Sequence, residues 1–121
     1  MIDNRSKTIF CDIDGTLTEQ IKPHQAADPD FQLELLPGTI EKLEEWDKLG
    51  YKIILTTGRK ESMRYSTEIQ LKRVGIFYDL LIMGLGGGKR ILINNMKNNS
   101  NIEYALSFNL PINTGITNLQ V

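Results

Sequence analysis

The chain has 121 residues, 40% of them hydrophobic and 24% charged, with a formal net charge of −1. That length suits one domain with one core, and near-neutrality excludes bulk attraction to nucleic acid or anionic membranes, though not local binding of a phosphate. One cysteine, Cys11, excludes an internal disulfide and fits a reducing compartment. No apolar run approaches the roughly 20 residues of a membrane span, and the first residues lack the apolar stretch of a signal peptide, so a cytoplasmic, membrane-free setting is expected.

Lys7 to Ile13 reads as a buried strand, β-branched and aromatic, stopped by Asp14-Gly15. Cys11 falls inside it and reads as a small buried hydrophobe rather than a nucleophile. Residues 17–36, with Pro23 and Pro29, form a long polar loop, a length that is often functional. Pro37-Gly38-Thr39 opens a helix with Ile40, Leu43, Trp46 and Leu49 at mostly helical spacing, and Gly50 ends it. Trp46 reads as core or subunit contact. Tyr51 to Thr57 is a second strand, and Glu61 to Val74 a second helix with Met63, Ile69, Leu71 and Val74 as its apolar positions. Tyr78 to Met83 is a third strand, and Arg90 to Ile93, after Gly86-Gly87-Gly88, a fourth ending at Asn94-Asn95. Beyond it, Ile102 to Leu106 reads as a short helix and Ile112 as a last short strand.

Alternating strands and helices imply right-handed crossovers and a mainly parallel sheet covered on both faces, an α/β/α sandwich of Rossmann-like class spanning residues 1–121. Ligands of such sheets sit at the carboxyl ends of the strands. The polar signals fall there: Asp12 and Asp14 after strand one, Thr57 after strand two, Lys89 and Arg90 before strand four, Asn94 and Asn95 after it.

Strand alternation starts Asp12 and Asp14 on one face while Ile13 enters the core. Two carboxylates so close repel, and a hard divalent cation such as Mg²⁺ relieves this. One can then attack as an ionised nucleophile while the other takes and returns a proton. Gly15 lets the backbone turn closely around the site, and Thr16 pins the turn with its hydroxyl. In "ILTTGR" the hydroxyls of Thr56 and Thr57 can donate to a phosphoryl oxygen beside backbone N–H groups, with Gly58 and Arg59 bordering the same strand end. Arg59 and Glu61 fit the entrance or a helix-cap ion pair equally well. In "GGGKR" a Lys or Arg offsets charge on a transferring phosphoryl group.

In this order, DxDGT, a strand ending in Thr, Lys/Arg and a polar pair resemble the haloacid dehalogenase-like superfamily over roughly residues 7–95. The resemblance implies a phosphatase, with Asp12 as the nucleophile that forms an aspartyl-phosphate and Asp14 as general acid/base. It implies Mg²⁺ on Asp12 and the Asp14 carbonyl, Thr57 rather than Thr56 as the second motif, and Lys89, then Arg90, as the third-motif cation. The fourth motif departs from the family: Asn94 and Asn95 stand where aspartates generally bind metal, and they bring no charge. Weaker Mg²⁺ binding is expected.

Neither residues 17–36 nor Gly84 to Gly88 can fold a cap domain, so the resemblance is to capless members. Such an open site admits a large substrate or is closed by a neighbouring subunit, a homo-oligomer. The run "TEIQLKRVGIFYDLLIMG" resembles small phosphatase-like proteins of capsule and surface-polysaccharide sugar biosynthesis, and a small phosphorylated sugar is the substrate this implies, with no nucleic-acid partner. The alternatives are a catalytically weakened or inactive domain that binds a phosphorylated ligand or partner, and a phosphatase of a macromolecular substrate. His24, between two prolines, reads as a surface residue.

Overall fold

The computed structural model describes residues 3–121. Strand β1 (Thr8–Asp12) leads through a long connection to helix α2 (Thr39–Lys48), and within that connection lies a one-turn helix, α1 (Pro23–Ala26). Strand β2 (Lys52–Thr56) follows, then a 3-10 turn (Glu61–Met63) that runs into α3 (Arg64–Arg73), and strand β3 (Leu80–Ile82). The three strands form a parallel sheet in the order β1-β2-β3. Register places Asp12 opposite Thr56 and Thr56 opposite Ile82, so three strand ends finish on one line.

Alternation along the strands separates the two faces of the sheet. On one face Cys11, Ile13, Ile53, Leu55, Leu81 and Met83 join Leu43 and Trp46 of α2 and Leu71 of α3 in a single buried cluster. Trp46 is therefore core, 2% exposed. Both long helices pack on this face, so among the described residues helices cover one side of the sheet where cover on both was expected. The other face carries Phe10, Leu80 and Ile82, all exposed, and no helix among the described residues covers it.

Three expected elements differ. Arg90 to Ile93 forms no strand, and Ile91, Leu92 and Ile93 are exposed. A strand exists only by pairing, and a stretch flanked by three glycines and an Asn-rich tract has little to hold it against an edge. Ile102 to Leu106 forms no helix and Ile112 no strand. Instead the C-terminal segment is fastened to the first loops: Asn113 N–H donates to the Gly15 carbonyl (2.9 Å), Gln20 N–H to Asn113 Oδ1 (2.9 Å), and Ile116 N–H to the Pro37 carbonyl (2.9 Å). Ile116 is buried in the core.

The buried face of α3 also departs from its apolar pattern. Ser66, Thr67 and Gln70 are buried with Leu71, whereas Met63, Ile69 and Val74 are only partly so. Buried polar groups need partners: Thr67 and Gln70 find theirs in the strand-end site, and Ser66 in the Ala26 and Met63 carbonyls.

Candidate active site

After β1 the chain turns at once. Gly15 takes φ +85°, and the N–H groups of Thr16, Leu17 and Thr18 all point at the Ile13 carbonyl (2.9–3.2 Å), while Gly15 N–H donates to Thr18 (2.7 Å). A positive φ of this size suits glycine because it has no Cβ to clash. Within this turn no N–H uses the Asp14 carbonyl. Thr16 Oγ1 donates to Asp12 Oδ2 (3.3 Å), tying the turn to the first carboxylate as expected.

The two aspartates have different surroundings. Asp12 is exposed at the strand end. Loss of hydration around its carboxylate pushes its pKa up, helped by the Asp14 charge, while the Ile13 N–H, the Thr16 hydroxyl and the Arg90 guanidinium pull it down. Asp14 is instead clasped by Arg59: Nε donates to Oδ2 at 2.9 Å and Nη2 to Oδ1 at 2.8 Å. This is a fork-to-fork pair, the strongest and most directional arrangement of the two groups. Both side chains are withdrawn from water, with 4% exposure for Arg59 and 15% for Asp14.

Arg59 is held in turn. Its N–H donates to Thr57 Oγ1 (3.0 Å), its carbonyl accepts from Gly84 (2.7 Å), and Nη1 donates to Thr67 Oγ1 (3.0 Å) and Gln70 Oε1 (2.7 Å). Every guanidinium nitrogen is thus engaged inside the protein. Placement of Arg59 among substrate-side residues is corrected: it serves Asp14. The helix-cap pair with Glu61 is also replaced, since Glu61 pairs with Arg64. The Thr57 hydroxyl is buried in the turn that aims Arg59, while Thr56 lies level with Asp12 on the same sheet face.

Gly58 shows how the third motif arrives. A Cβ there would lie 2.8 Å from the Gly86 carbonyl, so the glycine-rich stretch crosses directly over the end of β2. Gly84 and Leu85 N–H groups fix it to Arg59 and Thr57. Lys89 and Arg90 are both exposed beyond it, and the Arg90 guanidinium is a minor influence that lowers the Asp12 pKa.

The expected metal residues divide. The Asp12 carboxylate and the Asp14 carbonyl form an all-oxygen pair that suits a hard cation. The Asp14 carboxylate is taken by Arg59, and Asn94 and Asn95 are exposed in the irregular stretch, with no hydrogen bond to either aspartate. No trio of His, Cys, Asp or Glu able to hold a metal occurs among the described residues. The residues present fit a weakly held Mg²⁺ and no closed metal cage.

Cys11 lies beside the site but its thiol is buried and pushed up to about 12, which makes it inert as a nucleophile. His24 is exposed on α1. No helix among the described residues is long and apolar enough to cross a membrane. Sequence reasoning missed Thr67 and Gln70. The available signal was the polar trio Ser66, Thr67 and Gln70 at helical spacing, on the side of α3 that also carries Leu71.

A DxDGT turn follows the first of three parallel strands, and the Thr-Gly-Arg turn of the second clasps its second aspartate. The chain has the haloacid dehalogenase-like fold. Two structures of the Pnkp1/Rnl/Hen1 RNA repair complex are similar. One is 31% identical over 64% of this chain with a TM-score of 0.53. The other is 29% identical over 74% of it with a TM-score of 0.56. This chain spans only 25% and 32% of the length of those chains. A structural-genomics target from Vibrio cholerae shares the fold at 22% identity, covering 73% of this chain and 79% of that one, with a TM-score of 0.51. No family model matches this chain, and no curated protein matches it.

Proposed function

We propose that this haloacid dehalogenase-like domain hydrolyses phosphomonoesters through an aspartyl-phosphate on Asp12. The observation that carries this reading is the division of labour between the two carboxylates: Asp12 exposed and free to attack, Asp14 fixed by the buried Arg59 fork. An Asp12 oxygen forms a bond to phosphorus as the ester P–O bond breaks, and the leaving oxygen takes its proton from Asp14 in its protonated form, in which one Asp14 oxygen has given up its bond from Arg59. Water then attacks the phosphorus of the aspartyl-phosphate and gives its proton to Asp14. The acyl-phosphate P–O bond breaks, releasing inorganic phosphate and the Asp12 carboxylate.

The Asp12 carboxylate and Asp14 carbonyl would hold Mg²⁺, which would supply positive charge to offset that of the nucleophile and the phosphoryl group. Arg90 would add fixed charge from the glycine-rich stretch, and the hydroxyl of Thr56, whose backbone is level with Asp12, would donate to a phosphoryl oxygen. Small phosphorylated metabolites, sugars among them, are the primary substrate class, consistent with a net charge of −1. The second reading is a phosphoryl group at a nucleic-acid end. It is favoured by the likeness to chains of an RNA repair complex.

Release of nitrophenol from p-nitrophenyl phosphate, with and without Mg²⁺ and beside Asp12→Asn, tests the reaction. Hydrolysis that survives the loss of Asp12 contradicts it. A panel of sugar phosphates against 3′- and 5′-phosphorylated oligonucleotides separates the two substrate classes.

A further inference from the structure

The Gln70 side chain is wholly buried in α3, yet it touches two parts of the molecule far apart in sequence. Its Oε1 accepts from Arg59 Nη1 at 2.7 Å. Its Nε2 is aimed at the carbonyls of Gln25 (2.9 Å), Asp28 (2.6 Å) and, at longer range, Ala26 (3.4 Å). The orientation of this amide has one solution: guanidinium offers only donors and the carbonyls only acceptors, so a flipped Gln70 would face like against like on both sides. Thr67 Oγ1 accepts from the same Nη1 at 3.0 Å. Neighbouring Ser66 donates to the Ala26 carbonyl (2.8 Å) without touching Arg59.

We propose that Gln70, with Thr67, is a positioning residue of this site: it orients Arg59, and through Arg59 the Asp14 carboxylate, while tying the 25–28 turn to the same guanidinium. A fork-to-fork pair is directional, so its catalytic use depends on where the guanidinium plane is held. The Asp12 and Arg90 side chains make no hydrogen bond to Gln70, Thr67 or the Arg59 guanidinium. The kinetic consequence therefore falls first on proton transfer by Asp14, and this part of the inference rests on the phosphatase reading above.

The test compares first-turnover rates on 2-glycerophosphate, whose alkoxide needs a proton to leave, with those on p-nitrophenyl phosphate, whose leaving group does not. Gln70→Leu and Thr67→Val are expected to slow the alkyl ester about tenfold or more beyond their effect on the aryl ester, within the range of general-acid contributions. Ser66→Ala is expected to leave the ratio of the two rates unchanged. Equal losses on both esters, or the same ratio change in Ser66→Ala, overturns the proposal. Hydrogen exchange at Arg59 Nε–H, followed by ¹⁵N NMR, needs no activity: it is expected to quicken in Gln70→Leu and Thr67→Val but not in Ser66→Ala. Unchanged exchange in the first two also overturns it. If the wild type cleaves neither ester, the phosphatase reading fails, and the exchange measurement still decides the role of Gln70.

Discussion

Arg59 and Asp14, 45 residues apart in the chain, meet as a buried bidentate ion pair at the ends of β1 and β2. The pair joins the DxDGT turn to the Thr-Gly-Arg turn and fixes one aspartate while its neighbour stays exposed. Removing one member of a buried pair strands the other charge, which costs about 3–5 kcal/mol. Arg59→Met is expected to lose stability of that order in urea denaturation. Arg59→Met/Asp14→Leu, which removes both charges, is expected to recover much of it.

Asp12 predicts a stability change of opposite sign. Its folded-state pKa is raised above 3.8, chiefly by lost hydration, so the folded state holds this proton more tightly than the unfolded chain. Stability from this group is present below the unfolded value and is lost as pH rises through the raised folded value. Asp12→Asn is therefore expected to raise Tm near neutral pH while abolishing hydrolysis. The gain is expected to shrink as pH falls through the acidic range. A Tm that drops at neutral pH would contradict this account of the Asp12 surroundings.

Arg90 and Lys89 are adjacent and both exposed, and the Arg90 guanidinium has a small lowering influence on the Asp12 pKa. Arg90→Ala is expected to lower kcat/KM by roughly 10²-fold, the scale of losing one charge-stabilising group. Lys89→Ala is expected to change it several-fold at most. The reverse order would reassign the third motif.

Cys11 is buried beneath the sheet, and its thiol is pushed up to about 12 by that burial. Reaction with a disulfide reagent at mildly alkaline pH is expected to be slow in the folded protein and fast in denaturant. Fast labelling of the native protein would show that the strand opens readily.

Leu55 is fully buried on the middle strand and packed in the single core cluster. Leu55→Ala is expected to cost about 2–5 kcal/mol, the usual range for an unrelaxed core cavity. Leu49→Ala, at a position 55% exposed, is expected to cost far less.

Much of this architecture was legible in the chain. Glycines and apolar periodicity located three strands and both long helices, because those features express local backbone limits and one-sided burial. Asp12, Asp14 and Thr16 were legible for the same reason: they lie within one turn, where spacing fixes geometry. The failures needed information from across the fold. Ile91 to Ile93 has strand-forming side chains, but a strand needs a partner that no local pattern supplies. Arg59 fitted an entrance residue or a helix-cap pair because its partner lies 45 positions away, and Gln70 drew no reading because burial of a polar amide is intelligible only once Arg59 and the 25–28 carbonyls are in place.

The central claim is that Asp12 becomes phosphorylated, and mass spectrometry of the protein quenched in acid during turnover of p-nitrophenyl phosphate tests it most directly. One added phosphoryl group is expected on the peptide carrying Asp12, absent from Asp12→Asn and discharged when the native protein is left to complete its turnover. Steady hydrolysis with no phosphorylated peptide, or with the group on another residue, would contradict the account.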